Sequence, residues 1–224
     1  MCGRYEVHTP VEEIARIFDA QPDDEVNTFG PRYNVAPSLR IPVVRQGKSG
    51  RALEAMTWGL IPSWSRDLAG PKPVNARAET VFDKPMFRSA IRRRRCLVTA
   101  DGFYEWQQRD GRKQPYHVGM ADGAPFAMAG IWEYWARPER PAVVSCALVV
   151  TQPNELMASI HDRMPVIVAP EDYAAWLDPS IDDAVAIAAM LSPFPAELMR
   201  AYPVSARVNN VKNEGPDLIE AIPA

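Results

Sequence analysis

Proline occupies 22 of the 224 positions, roughly twice the ~5% of average usage, and these prolines are spread along the chain instead of being gathered into one linker. Each removes a backbone donor and interrupts a helix interior. A bundle of long helices is therefore excluded, and short strands joined by structured loops are favoured. Thr9-Pro10-Val11-Glu12 reads as an N-cap, a first-turn proline and a capping-box glutamate, which predicts a helix to about Ala20 with Val11, Ile14, Ala15 and Phe18 on one face. Ile41 to Gln46 and Ala52 to Trp58 flank Gly47-Lys48-Ser49-Gly50, and Phe103 to Gln107 and Pro115 to Met120 flank Asp110-Gly111; both pairs predict hairpins. Phe126 to Trp135 and Val143 to Thr151 read as longer strands, and a last strand is expected near Ala201 to Ser205. Helices are expected over Pro85 to Arg93, Glu171 to Trp176 and Asp182 to Leu191. Strands outnumber helices without regular βαβ alternation. The expectation is α+β: one compact domain over residues 1–224, with a curved, barrel-like antiparallel sheet and flanking helices.

With 47% hydrophobic and 24% charged residues, the chain has the composition of an ordinary globular protein and not of a disordered or fibrous one. Its longest apolar runs, Ala142 to Val150 and Ala184 to Leu191, are shorter than the ~18 residues a membrane span needs. The first residues carry no basic region followed by an apolar one, so a cytoplasmic protein is expected, nucleoid-associated if bacterial. Cys2, Cys96 and Cys146 form no CxxC pair, which argues against a disulfide scaffold or zinc knuckle. His8, His117 and His161 are too few for a histidine-rich metal site. No metal or cofactor is expected. The net charge of −3 hides an asymmetry: residues 1–117 carry +5 and residues 118–224 carry −8. Gly70 to Ala100, with Lys72, Arg77, Lys84, Arg88 and Arg92 to Arg95, is the stretch best suited to an anion.

Five segments can carry chemistry. Removal of Met1 would leave Cys2 with a free α-amine beside its thiol; such a 1,2-aminothiol forms an imine with an aldehyde and closes it to a thiazolidine. The bland alternative for Cys2 is a small hydrophobe. Asn75-Ala76-Arg77-Ala78-Glu79, if extended, turns Asn75, Arg77 and Glu79 to one side, as a phosphate-and-sugar grip or as a solvated strand with an Arg–Glu pair. In Gly102-Phe103-Tyr104-Glu105-Trp106 a carboxyl group sits among aromatics, where desolvation would raise its pKa toward neutrality; the alternative is a surface glutamate. His161-Asp162-Arg163-Met164-Pro165 places an imidazole two residues from a guanidinium, for proton transfer or for a structural hydrogen bond. Trp58-Gly59-Leu60-Ile61-Pro62-Ser63-Trp64 offers two indoles, Trp58 suiting the core and Trp64 a rim; Met86 follows the basic stretch, where Arg88 is favoured for phosphate contact over Arg92 to Arg95, which read as a solvated helix end.

These segments, with Cys2-Gly3-Arg4, Arg32-Tyr33-Asn34-Val35-Ala36-Pro37 and Val204-Ser205 to Pro216, resemble the SRAP family, the SOS-response-associated peptidases that handle abasic sites, in the family's order over nearly the whole chain. The resemblance implies that Cys2 is exposed and condenses with the ring-opened aldehyde of an abasic site in single-stranded DNA, giving a thiazolidine crosslink that shields the lesion. It implies a groove in which Arg4, Asn75, Arg77 and Arg163 hold the backbone while Trp64 and Met86 separate bases. Glu105 would move protons in imine formation, ring closure and reversal, and His161 would stabilise the ring-opened sugar hydroxyl or assist strand scission by β-elimination. Asn75 joins Cys2, Glu105 and His161 in the expected catalytic set; Met1 would be removed by an aminopeptidase or autoproteolytically. The implied partner is abasic single-stranded DNA, including fork junctions, met by a monomer with no membrane attachment. At Thr99 the family resemblance leads one to expect proline; this touches a loop and none of the chemical positions. Two rivals belong to other classes: an N-terminal-nucleophile cysteine peptidase, and a non-covalent single-strand binding module built on Arg77, Arg163 and Trp64.

Overall fold

Proline's veto on long helices is visible in the computed structural model, which describes residues 2–109 and 111–223. The removal of Met1 and the Asp110 half of the second hairpin turn lie outside the described residues. The helices are α1 (Val11–Ile17), α2 (Arg88–Arg93), α3 (Glu155–Ala158), α4 (Tyr173–Leu177) and α5 (Ala184–Ala189), none longer than seven residues. The strands are β1 (Tyr5–Val7), β2 (Ala20–Pro22), β3 (Arg32–Val35), β4 (Arg40–Gly47), β5 (Gly50–Trp58), β6 (Asn75–Arg77), β7 (Arg95–Ala100), β8 (Gly102–Arg109), β9 (Arg112–Met120), β10 (Phe126–Arg137), β11 (Arg140–Thr151), β12 (Met164–Pro165), β13 (Ile167–Val168) and β14 (Met199–Pro203). No helix among the described residues is long and apolar enough to cross a membrane.

Five strands close a barrel in the order β11-β10-β7-β4-β5, and β5 returns to β11. The closing pair is parallel, Ser145 facing Thr57 and Cys146 facing Trp58, so the expected antiparallel barrel carries one parallel seam; β6 also joins β11 in parallel. Closure removes the open edges that would template pairing with other chains. Strand β7 is buried along its whole length, and Trp58, Leu53, Met56, Leu97 and Met128, which the strand registers distribute over both faces of the barrel wall, are fully buried. A second sheet, β14-β9-β8-β1-β3, carries the N-terminal strand. Both predicted hairpins form, β4 with β5 and β8 with β9.

Several boundaries differ from expectation. Helix α1 stops at Ile17, and Ala20 opens a strand. No capping box forms, because Asp101 outcompetes it: its Oδ2 accepts the His8 and Thr9 N–H groups at 2.6 and 2.9 Å, and its Oδ1 accepts the Thr9 hydroxyl. Helix α2 starts at Arg88, not Pro85, and Pro170–Asp172 forms a short 3₁₀ turn before α4. Only part of the run Arg92 to Arg95 is a solvated helix end: Arg92 and Arg93 close α2, and Arg93 is exposed. Arg95 is 3% exposed and starts β7; its guanidinium donates to the carbonyls of Ile91 (3.0 Å), Arg92 (2.7 Å), Trp176 and Asp178. Carbonyls left over at helix C-termini thus satisfy a buried charge. Arg94 pairs with Glu133 and Arg93 with Asp182, each at 2.7 Å.

Candidate active site

Backbone pairing between β1 and β8 brings the N-terminal residues to the expected acid–base group. Tyr5 faces Phe103 and Glu6 faces Gly102, and the Tyr104 N–H donates to the Arg4 carbonyl at 3.0 Å. From β6, held on the barrel by β11, Asn75 Nδ2 donates to the Cys2 carbonyl at 2.8 Å. Cys2 is fully buried, which corrects the expectation of an exposed residue. Burial, reinforced by the nearby Glu105 carboxylate, pushes its thiol far above the usual range, so the sulfur is held as S–H. Glu105 is 2% exposed, and burial pushes its carboxyl up to about 7. This agrees with the expectation drawn from its aromatic neighbours and excludes the surface glutamate.

His161 follows α3 in a loop, half-buried, with Nε2 at 3.7 Å from Glu105 Oε2. Burial pushes its imidazole below the usual range. Nδ1 accepts the Arg163 N–H at 3.0 Å, and Nε2 is the ring nitrogen that faces Glu105. Asp162 Oδ1 also lies 2.9 Å from Nδ1, and that carboxylate is 85% exposed.

The expected DNA contacts are less uniform. Arg77 is exposed at the end of β6. Glu79 pairs with the Arg163 guanidinium, so the anticipated Arg–Glu pair forms with Arg163. Arg4 Nη1 donates to Asn34 Oδ1 and to the Val208 carbonyl, each at 2.7 Å, and its guanidinium lies 5.9 Å from the Trp106 ring centroid. Trp58 is core and Trp64 is 62% exposed. The Trp64 loop is fixed by Trp135 Nε1 donating to the Ser65 carbonyl at 2.8 Å and by Arg137 donating to the carbonyls of Ser63 and Ser65. Met86 packs half-buried on the core, and Arg88 is exposed at the start of α2. No hydrogen bond or ion pair among the described residues ties Trp64, Met86 or Arg88 to Cys2 or Glu105.

The sequence reading missed one wall of the site. Asn34, 2% exposed, donates to the carbonyls of Asn210 and Asn213 at 3.0 and 2.9 Å, while Trp106 Nε1 donates to Asn209 Oδ1 at 2.7 Å. Together with Arg4, these bonds tie the 208–213 segment to the second sheet. A pocket of about 690 Å³ opens there, lined by Glu105, Trp106, Gln108, Lys113, Ile160, His161, Asp162 and Asn209. The available signal was Asn34 within the Arg32 to Pro37 block: a short amide among apolar neighbours is a frequent buried hydrogen-bonding hub. Among the described residues no group of three or more His, Cys, Asp or Glu side chains is placed to hold a metal ion.

Comparison with known proteins places this arrangement. The profile of the SOS response associated peptidase (SRAP) family matches residues 1–211. The abasic site processing protein YoqW of Bacillus subtilis is 40% identical over 223 residues, covering 99% of this chain and all of that one. YedK of Escherichia coli, also named an abasic site processing protein, is 32% identical over 99% of this chain and 100% of its own length. A crystal structure of a Bacteroides thetaiotaomicron protein superimposes with a TM-score of 0.90 at 27% identity, covering 99% of this chain and all of that one. By sequence and by fold, the chain belongs to the SRAP family.

Proposed function

We propose that this protein processes abasic sites in DNA and does so covalently, through Cys2 after Met1 has been removed. The observation that carries the reading is the sharing of one buried site by Cys2 and by a carboxyl group raised to about 7. The Cys2 amine attacks the C1′ aldehyde of the ring-opened sugar to give a carbinolamine. Glu105 in its protonated form donates to the departing hydroxyl, water leaves, and an imine remains. The thiol then adds to the imine carbon; its proton passes through the Glu105 carboxylate to the nitrogen, and a thiazolidine results. The net change is aldehyde plus aminothiol to ring plus water, and the reverse order of proton transfers releases the DNA. A protonated thiol suits this order, since sulfur is needed only after the amine has reacted. Asn75 fixes the Cys2 backbone, which turns the encounter into a positioned, effectively intramolecular step. His161, whose Nε2 faces Glu105, stabilises the ring-opened sugar hydroxyl and assists β-elimination.

Burial of Cys2 favours single-stranded substrate, because a sugar must leave the base-paired stack to reach it. Arg77 and Arg163 meet the backbone, Arg4 supplies fixed positive charge from within the fold, and Trp64 is the exposed stacking surface, with Met86 and Arg88 as outer contacts. Intact mass and denaturing gels with abasic and intact oligonucleotides test the assignment. The native protein gains the mass of the abasic strand less water, and Cys2→Ala gains nothing. An undiminished heat-stable adduct from Cys2→Ala overturns the proposal, equal affinity for both strands without adduct favours the binding module, and peptide hydrolysis retained by Cys2→Ser favours the peptidase.

A further inference from the structure

We infer that the pocket beyond Glu105 and His161, walled by Trp106, Gln108, Lys113 and Asn209, seats the nucleotide next to the lesion on one side, with Lys113 meeting its phosphodiester. The inference rests on the abasic-DNA reading above and adds a second flank to it. An abasic site inside a strand has a phosphodiester on each side, so a site that takes the sugar must accommodate both. Arg77 and Arg163 are not among the residues lining this pocket; they come from β6 and from the segment beyond His161 and serve the other flank. The pocket reaches the acid–base side of the site, since Glu105 and His161 both line it, while Cys2 is buried and not among its lining residues. Its volume of about 690 Å³ falls within the ~300–1,000 Å³ range of ligand sites, with room for a nucleotide beyond the ring-opened sugar.

The walls are built in advance. Trp106 is held by its bond to Asn209 and backed by Arg4, and the segment carrying Asn209 is tethered by Asn34. Lys113 is exposed on β9 directly across from Gln108 on β8, and its charge is felt at His161, whose protonation it opposes. The pocket thus combines an indole, two amides and one ammonium. The Asp162 carboxylate also lines it, which disfavours a free phosphate dianion and leaves a singly charged diester as the fitting anion.

The test measures single-turnover crosslinking to three oligonucleotides: lesion internal, lesion at the 5′ end, and lesion at the 3′ end. Lys113→Ala is expected to slow the internal substrate about 3–10-fold and to lower the slope of log rate against log salt by about 1, as loss of one phosphate contact does. That penalty should vanish for one of the two terminal substrates, while the Arg77→Ala penalty vanishes for the other. Lys113→Arg restores the rate, and inorganic phosphate at millimolar concentration does not compete. Equal rates for Lys113→Ala and the native protein on the internal substrate overturn the inference, as does a penalty that persists on both terminal substrates. Absence of any adduct with the native protein is a different result, and it removes the underlying assignment instead.

Discussion

Two carboxylate–histidine pairs, their carboxylates on the neighbouring strands β1 and β8, behave oppositely. Glu6 on β1 and His117 on β9 are 1% and 3% exposed, with His117 Nε2 at 2.7 Å from Glu6 Oε1. Burial pushes Glu6 up, but bonds and charge from His117 and His8 outweigh it and hold the carboxyl below its ordinary value. Glu105 on β8 is equally buried, yet His161 stands off at 3.7 Å and the carboxyl is driven up to about 7. Residue types are the same, and the depth of burial is the same. What differs is the balance: for Glu6 the bonds and charges of its partners outweigh burial, whereas for Glu105 burial prevails over the groups that lower it. The brace closes over itself, stacked on Tyr202 at 5.0 Å, whereas the reactive pair lines an open pocket.

The comparison can be broken most directly by neutralising each carboxylate in turn. Glu105→Gln is expected to slow crosslinking by about 10²–10⁴-fold, the usual worth of a general acid–base, while Glu6→Gln leaves the rate within a few-fold and lowers stability. A comparable rate loss in both, read in the same single-turnover assay, would show that the two pairs form one catalytic network. Next in size is Gly102→Ala. A Cβ there would lie 2.2 Å from His117 Nε2 and 2.8 Å from Glu6 Oε1, so the brace must open, at a cost of about 2–4 kcal/mol; chemical denaturation measures it.

The smallest effect is the sharpest discriminator, because the two pKa shifts have opposite signs. A carboxyl raised on folding to about 7 penalises the folded state above that pH, and the penalty disappears as pH falls from about 7 toward its unfolded value near 4.5. Glu105→Gln should therefore be more stable than the native protein at pH 8, by roughly 1–3 kcal/mol, and the gap should close by pH 5. Glu6 has a lowered value, so its contribution is complete above about 4.5 and is lost only as pH falls through its folded value. The deficit of Glu6→Gln should thus persist at pH 5 and shrink only in stronger acid. Thermal unfolding of both variants across this range reads the two curves. A Glu105→Gln variant no more stable than the native protein at pH 8 would mean that the Glu105 carboxylate is well stabilised by its surroundings.

Much of this was legible in the chain. Proline content forbade long helices, the Gly47 to Gly50 and Asp110-Gly111 turns announced two hairpins, and the aromatics around Glu105 announced a desolvated carboxyl group. These are local signals, carried by residues adjacent in sequence. Strands β1 and β3, three and four residues long, gave no readable periodicity, because so short a strand is fixed by its partners and not by its own pattern. Strand β7 was hidden behind four arginines whose burial depends on carbonyls supplied from Trp176 and Asp178, far away in the chain.

By itself the sequence determined the ban on long helices, the two hairpins and the family, since these depend on backbone propensity and on side-chain chemistry that each residue carries with it. Only the tertiary structure decided which buried carboxyl would be held low and which pushed up, that Cys2 is enclosed, and that Arg4 and Asn34 hold up a pocket wall. Those outcomes depend on solvent exclusion and on donors contributed from distant positions: Glu6 and His117 are 111 residues apart, and the 2.7 Å between them exists only once β1, β8 and β9 have paired.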